Sequence, residues 1–132
     1  MTYGNLDLEG ICASRPIPDA GLEQFLMTSK SVRHQASYLH NRLRTDLFMM
    51  GDDDHVSLPV AAAAPERRVL VIEIDERVLD SIDTWRRKLN LRNLILVHAD
   101  LRTYDEPMHK WPAFYGNPPW SSKNAGHGLR YW

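Results

Sequence analysis

The stretch Asp46-Leu-Phe-Met-Met-Gly-Asp-Asp-Asp-His-Val-Ser-Leu-Pro-Val-Ala-Ala-Ala-Ala-Pro-Glu-Arg-Arg-Val-Leu-Val-Ile-Glu-Ile-Asp75 decides the fold. Leu47 to Met50 is a short apolar run halted by Gly51, the pattern of a strand buried on both faces. Val69 to Ile74 is a second run, rich in β-branched side chains and followed by acid at Asp75. Between them, Val56 to Ala64 reads as a short helix, with Pro59 in its first turn and Pro65 at its end. Strand, glycine-led loop, helix, and strand ending in a carboxylate make a βαβ unit of nucleotide-binding type. Parallel strands need such a crossover, and it is nearly always right-handed.

Outward from this unit the pattern continues. Glu76 to Asn90 sets Val78, Leu79, Ile82, Trp85 and Leu89 on one helical face, with Asp75 placed to cap it. Leu94 to His98 is a third strand, followed by acid at Asp100. Arg102 to Trp111, broken by Pro107, is a loop. Ala113 to Gly116 is a fourth, short strand that runs into Asn117-Pro118-Pro119-Trp120. Upstream, Val32, Ala36, Leu39 and Leu43 fall at helical spacing, and Thr28 or Ser29 offers the N-cap. Residues 1–28 carry Gly4, Gly10, Pro16, Pro18 and Gly21 and read as an irregular arm with one short helical turn near its end. The expectation is therefore an α/β fold: a Rossmann-like three-layer sandwich over residues 29–132, with a mostly parallel and incomplete sheet of about four strands.

Bulk properties narrow the function. With 132 residues, 43% hydrophobic and 25% charged, the chain has the size and composition of one globular domain. A formal net charge of −1 gives no electrostatic reason to expect nucleic-acid binding. Cys12 is the only cysteine, so no intrachain disulfide forms, and a reducing cytoplasm is the expected compartment. The first residues lack the basic start and apolar run of a signal peptide. No apolar segment approaches the roughly 20 residues that span a bilayer. His34 and His40 are six apart on their helix and do not share a face, so no metal site is expected there.

Ligands of open α/β sheets bind beyond the carboxyl ends of the strands. All four strands end in polar groups at that edge: Gly51-Asp52-Asp53-Asp54, then Glu73 and Asp75, then Asp100, then Asn117-Pro118-Pro119-Trp120. Glu73 suits a clamp on two ribose hydroxyls, since a carboxylate accepts from both. Asp75 reads more simply as a partner of the following helix's dipole. Asp100 is placed to accept from an adenine amino group while the backbone of Leu101 reads the ring edge. Three successive aspartates repel one another, and a polyamine or another cationic centre would relieve that; an exposed acidic turn is the plainer alternative. Gly51 lets the backbone approach a ligand closely, but no Gly-x-Gly-x-x-Gly fingerprint supports a diphosphate. Pro118 and Pro119 fix the backbone that presents the Asn117 amide, and Trp120 can stack on a planar group or face an amine.

These residues resemble the class I S-adenosylmethionine-dependent transferases. Gly51-Asp-Asp-Asp54, Ser57-Leu58 and Ile72-Glu-Ile-Asp-Glu-Arg77, with Asp19, Gln24 and Met27-Thr28-Ser29 upstream, are similar to the branched-chain polyamine synthases, the bis(aminopropyl)spermidine synthases. The resemblance covers roughly residues 15 to 120. It implies transfer of an aminopropyl group from decarboxylated S-adenosylmethionine to an amine of a polyamine. By position, Gly51 and Asp52 would line the donor, Glu73 would hold the ribose and Asp100 the adenine, with Asp75 and Leu101 as the further donor-site candidates read from the strand ends. Asp53, Asp54 and Asn117 would serve the acceptor amine, lined by Pro118, Pro119 and Trp120. Two positions depart from the pattern. Asn117 stands where Asp is expected, and Asn-Pro-Pro-aromatic is the usual motif of amine and nucleobase methyltransferases using S-adenosylmethionine. His55 stands where an apolar residue is expected. A complete class I sheet has seven strands, so the open edge left here is expected to associate, as a homo-oligomer or with a partner subunit that completes the sheet. A non-catalytic subunit or binding module is the remaining alternative.

Overall fold

The computed structural model describes residues 6–22, 24–105 and 110–116. Along the chain run α1 (Leu8–Ala13), a 3-10 turn at Ala20–Leu22, α2 (Ser29–Arg42), β1 (Leu47–Met50), α3 (Ser57–Ala63), β2 (Val69–Glu73), α4 (Glu76–Lys88), β3 (Leu94–His98) and β4 (Ala113–Gly116). The sheet order is β3-β2-β1-β4, and every neighbouring pair is parallel. The α/β class, the crossover between Met50 and Val69 and the parallel sheet match the sequence expectation.

The two central strands bury every residue, which is why both read as unbroken apolar runs. Alternate side chains then supply two cores. Leu47, Met49, Val69, Val71, Leu94 and Ala113 face the four helices and meet Ile11, Val32, Val60 and Ile82. Ala61, fully buried, lets α3 lie close against the sheet. On the opposite face lie Phe48, Met50, Leu70 and Ile72. Among the described residues this second face is covered by the β3–β4 connection rather than by a helix: Phe48 packs 6.4 Å from Tyr104 and 6.1 Å, edge-on, from Trp111. Arg68 sits over the Trp111 ring and is paired with Asp46 at 2.7 Å.

Over residues 6–22 and 24–28 the chain is less irregular than expected. Leu8–Ala13 form α1, and Leu8 and Ile11 enter the same core as the sheet. Asp7 caps this helix by accepting from the Gly10 N–H at 2.9 Å. A six-residue helix shows only one i, i+3 apolar pair, too little to produce a period in a stretch rich in glycine and proline. Further along, Thr28 caps α2 and Asp75 caps α4, as expected. Helix α4 ends in Arg86, Arg87 and Lys88, which complement its dipole, and Asn90 turns out of it at φ 54°.

The second core makes a direct test possible. Phe48→Ala is expected to cost about 3–5 kcal/mol in urea unfolding, the range for truncating a buried phenylalanine. A loss below about 1 kcal/mol would show that the aromatic cover contributes no core of its own.

Candidate active site

The connections β1-α3-β2-α4-β3 advance in one direction across the sheet, and β4 lies on the other side of β1. The order therefore reverses between β1 and β4, where ligands of such sheets bind at the carboxyl ends. Gly51 leaves β1 at that point with φ 77°, a conformation open to glycine at little cost. A β-carbon there would also lie 3.2 Å from the Glu73 carboxylate, which would have to give way by a few tenths of an ångström. Beside it, the Ala99 N–H donates to the Glu73 carbonyl at 3.1 Å, which sets the end of β3 against the end of β2.

The three aspartates have three different environments. Asp52 is buried and turns under the loop, accepting from the Val56 and Ser57 N–H groups at 2.8 and 3.0 Å. It anchors the start of α3, where the helix dipole favours an anion. Burial raises its pKa well above the usual carboxylate range. Asp54 is also buried. It accepts from the Met27 N–H and pairs with Arg15 at 3.5 Å. Asp53 alone of the three reaches the surface in part. Burial, then the Asp54 charge, pushes its pKa to about 6.

His55 holds the loop from below, in the left-handed region at φ 64° and fully buried. Its Nδ1 lies 3.3 Å from the Asp52 carbonyl and its Nε2 lies 2.8 Å from Ser81 Oγ. A carbonyl can only accept, so Nδ1 carries the proton and Nε2 accepts from the serine hydroxyl. Burial holds its pKa down to about 4, leaving the ring neutral. A polar pin to α4 thus stands where the resemblance expects an apolar contact.

At the end of β2, Glu73 is 7% exposed, and burial followed by the Asp53 charge raises its pKa to about 8. Asp75 is occupied otherwise. It caps α4 through the Arg77 N–H at 3.0 Å, accepts from Gln24 Nε2 at 2.8 Å, and binds the Arg77 guanidinium. Arg77, first, holds its pKa low. Asp100 lies at the same edge of the sheet, beyond β3, and is bound by the backbone and guanidinium of Arg102. Leu101 packs with the aromatic cover of the second face. Asn117, Pro118, Pro119 and Trp120 lie outside the described residues; β4 stops at Gly116, paired with Met50.

Arg15 and Tyr115 escaped the sequence reading of the site, and the contacts of Gln24 and His55, both singled out there, were not foreseen. Arg15 and the side-chain contacts of Gln24 are long-range, and neither has a local spacing signature. The pinning role of His55 depends on Ser81. Tyr115, on β4, has its phenol pKa raised by burial first and then by Asp52 and Asp54 across the switch point. Its position one residue before the strand's end was the available signal. A cavity of about 500 Å³ lies elsewhere, at the amino ends of the strands, between Pro65 and Leu89–Asn93. Among the described residues no group of three or more His, Cys, Asp or Glu is arranged to hold a metal ion, and no helix is long and apolar enough to cross a membrane.

Comparison with known proteins identifies the family and the fold. Residues 7–126 match the family described as the branched-chain polyamine synthase A C-terminal domain. The chain belongs to that family. It is 27% identical over 114 residues to the N(4)-bis(aminopropyl)spermidine synthase of Thermococcus kodakarensis, covering 83% of this chain and 32% of the relative. The synthase of the same name from Methanocaldococcus jannaschii is 25% identical over 95 residues, covering 70% of this chain and 27% of the relative. This member of the family thus spans about a third of the length of those curated relatives, or less. A branched-chain polyamine synthase from Thermus thermophilus, solved with N4-aminopropylspermidine and 5'-methylthioadenosine, superposes with a TM-score of 0.80 at 20% identity, covering 93% of this chain and 37% of that one. A putative RNA methyltransferase from Pyrococcus horikoshii superposes at 0.69 with 12% identity, covering 96% and 68%. These superpositions establish the Rossmann-like fold.

The raised carboxyl groups predict an unusual stability profile. Glu73 binds its proton more tightly folded than unfolded, so its contribution is full below about pH 4.5 and is lost as pH rises towards 8. Asp53 acts likewise up to about pH 6. His55 acts oppositely, losing stability only as pH falls from 6.5 towards 4. Between about pH 6.5 and 8 the melting temperature should therefore fall as pH rises, and Glu73→Gln should flatten the slope. A melting temperature that climbs with pH over that interval would contradict this assignment.

Proposed function

We propose that the chain is the donor-binding part of an aminopropyltransferase, carrying an aminopropyl group from decarboxylated S-adenosylmethionine to an amine of a polyamine. One observation carries the reading. In a family whose curated relatives include bis(aminopropyl)spermidine synthases, Asp53 and Glu73 lie together beyond the ends of β1 and β2, where burial raises their pKa to about 6 and about 8. An anionic ligand would be repelled there, whereas a cationic one draws both groups to their ionised form. The donor's sulfonium and ammonium groups supply that charge.

In this reading Glu73 accepts from the ribose hydroxyls beside Gly51, where the absent β-carbon leaves room. The other acids are engaged in structure: Asp52 with α3, Asp54 with Arg15, Asp75 with α4 and Gln24. Asp53 therefore meets the acceptor amine. The neutral amine attacks the carbon next to sulfur, the new C–N bond forms as the C–S bond breaks, and the sulfonium leaves as the neutral thioether 5'-methylthioadenosine. The resulting ammonium gives its proton to the Asp53 carboxylate, whose pKa of about 6 allows it to pass the proton to water near neutral pH. Asp100 and the Leu101 backbone serve the adenine, and alignment of nucleophile and leaving group supplies most of the acceleration. Asn117 and Trp120 are the candidates that the sequence offers for meeting the acceptor.

The Asn117-Pro118-Pro119-Trp120 sequence favours one second reading, methyl transfer from S-adenosylmethionine to an amine or nucleobase nitrogen. Titration calorimetry with decarboxylated S-adenosylmethionine, S-adenosylmethionine and 5'-methylthioadenosine separates the two. The decarboxylated donor is expected to bind at least about tenfold more tightly than the carboxylated one, a difference of about 1.4 kcal/mol. With spermidine present, mass spectrometry should show an aminopropyl adduct. Binding of the carboxylated donor alone selects methyl transfer, and binding of neither selects a non-catalytic module.

A further inference from the structure

Nothing in the proposed chemistry uses Arg15, yet it is among the most engaged side chains near the acidic loop. Its Nε–H donates to the Cys12 carbonyl at 3.0 Å and its Nη2 to the Met27 carbonyl at 2.8 Å. Nη1 donates to the Asp54 carbonyl at 3.4 Å and lies 3.5 Å from the Asp54 carboxylate. Both partners are sealed from water, with the side chains 8% and 3% exposed. The same carboxylate accepts from the Met27 N–H, so two separate points on the chain before α2 are tied to the tip of the loop. A second tie, Gln24 to Asp75, and a third, Arg77 to the Ile17 carbonyl at 3.1 Å, fasten this stretch along the edge of the sheet.

We propose that Arg15 is the positioning residue of the acidic loop: by clamping Asp54 to the Cys12–Met27 stretch it acts as a built-in cation and leaves Asp53 as the loop acid presented to a polyamine. Three considerations support the assignment. A triplet of like charges spreads unless one member is neutralised, and a planar guanidinium satisfies several oxygens at once in a fixed geometry. Asp53 is the member that stays partly exposed once Asp54 is clamped and Asp52 caps α3. The groups facing Asp53 from the surrounding elements are Asp52 and Asp54 on the loop, Glu73 on β2, Tyr115 on β4 and Arg15 itself. Among the described residues, Arg15 is the cation of this group. The polyamine part of this inference rests on the aminopropyl reading; the clamp itself does not.

The test uses the full chain with Arg15→Ala, Arg15→Lys and the double variant Arg15→Ala/Asp54→Asn. Amide exchange at Met27 reads the clamp without any ligand, and calorimetry with spermidine reads its consequence. Arg15→Ala should speed Met27 exchange and weaken spermidine binding by about tenfold or more. Millimolar guanidinium should restore both, while sodium chloride at equal ionic strength restores neither. Arg15→Lys should recover only part, because a point charge cannot span the carbonyl and carboxylate oxygens. If the single variant fails to fold, the double variant, which leaves no unpaired buried charge, should fold and gain nothing from guanidinium. Unchanged Met27 exchange and affinity in Arg15→Ala, or equal rescue by sodium, would overturn the assignment. Should the wild-type chain bind no spermidine, the aminopropyl reading fails, while Met27 exchange still decides whether Arg15 clamps the loop.

Discussion

Five carboxylates crowd the ends of β1 and β2, and removing each from water costs free energy unless it is hydrogen-bonded, paired or protonated. The local architecture follows from how that constraint is met. Asp52 is satisfied by two N–H groups at the start of α3, so the crossover helix begins where the loop needs it. Asp54 is satisfied by Arg15 and the Met27 N–H, so the chain before α2 is drawn onto the edge of the sheet. Asp75 is satisfied by the start of α4 and by Gln24. Asp53 and Glu73 meet it by holding their protons more tightly, as does Asp52 in addition to its two hydrogen bonds.

Under the proposed function this division separates acids engaged in the fold from acids left to a ligand. Groups whose charge is already matched offer little to a ligand, because displacing a buried partner leaves that partner unpaired. Groups that hold protons against their intrinsic preference give them up when a cation arrives, and binding is then coupled to proton release. Two of the backbone positions with positive φ lie at the same place. Gly51 and His55 both adopt positive φ on either side of the aspartates, and the His55 ring is locked between the Asp52 carbonyl and Ser81. A loop so constrained presents its charges in a fixed arrangement, which favours preorganised recognition of a cationic substrate.

Much of the fold was legible in the sequence because local signals agreed with tertiary ones. The apolar runs of β1 and β2 are uninterrupted because both faces are covered, and α4 repeats its apolar residues at helical spacing because one face is. Helix α1 was not legible: its six residues are stabilised by packing of Leu8 and Ile11 that no period announces. The convergence of acids at one edge followed from strand order alone. Which acid does what did not, since the roles of Asp52, Asp53 and Asp54 depend on Arg15 and Met27, well separated in sequence, and on whether each side chain points under the loop or out of it. The family resemblance supplied the chemistry that periodicity could not, and the match over residues 7–126 places the chain in that family.

The central claim is that Asp53 and Glu73 hold protons that a positively charged ligand displaces. Carbon-13 NMR titration of those two side-chain carboxyl groups tests it most directly. Midpoints near 6 for Asp53 and 8 for Glu73, both falling when decarboxylated S-adenosylmethionine is added, are the predicted result. Two ordinary carboxylates titrating near pH 4, unmoved by the donor, would contradict it.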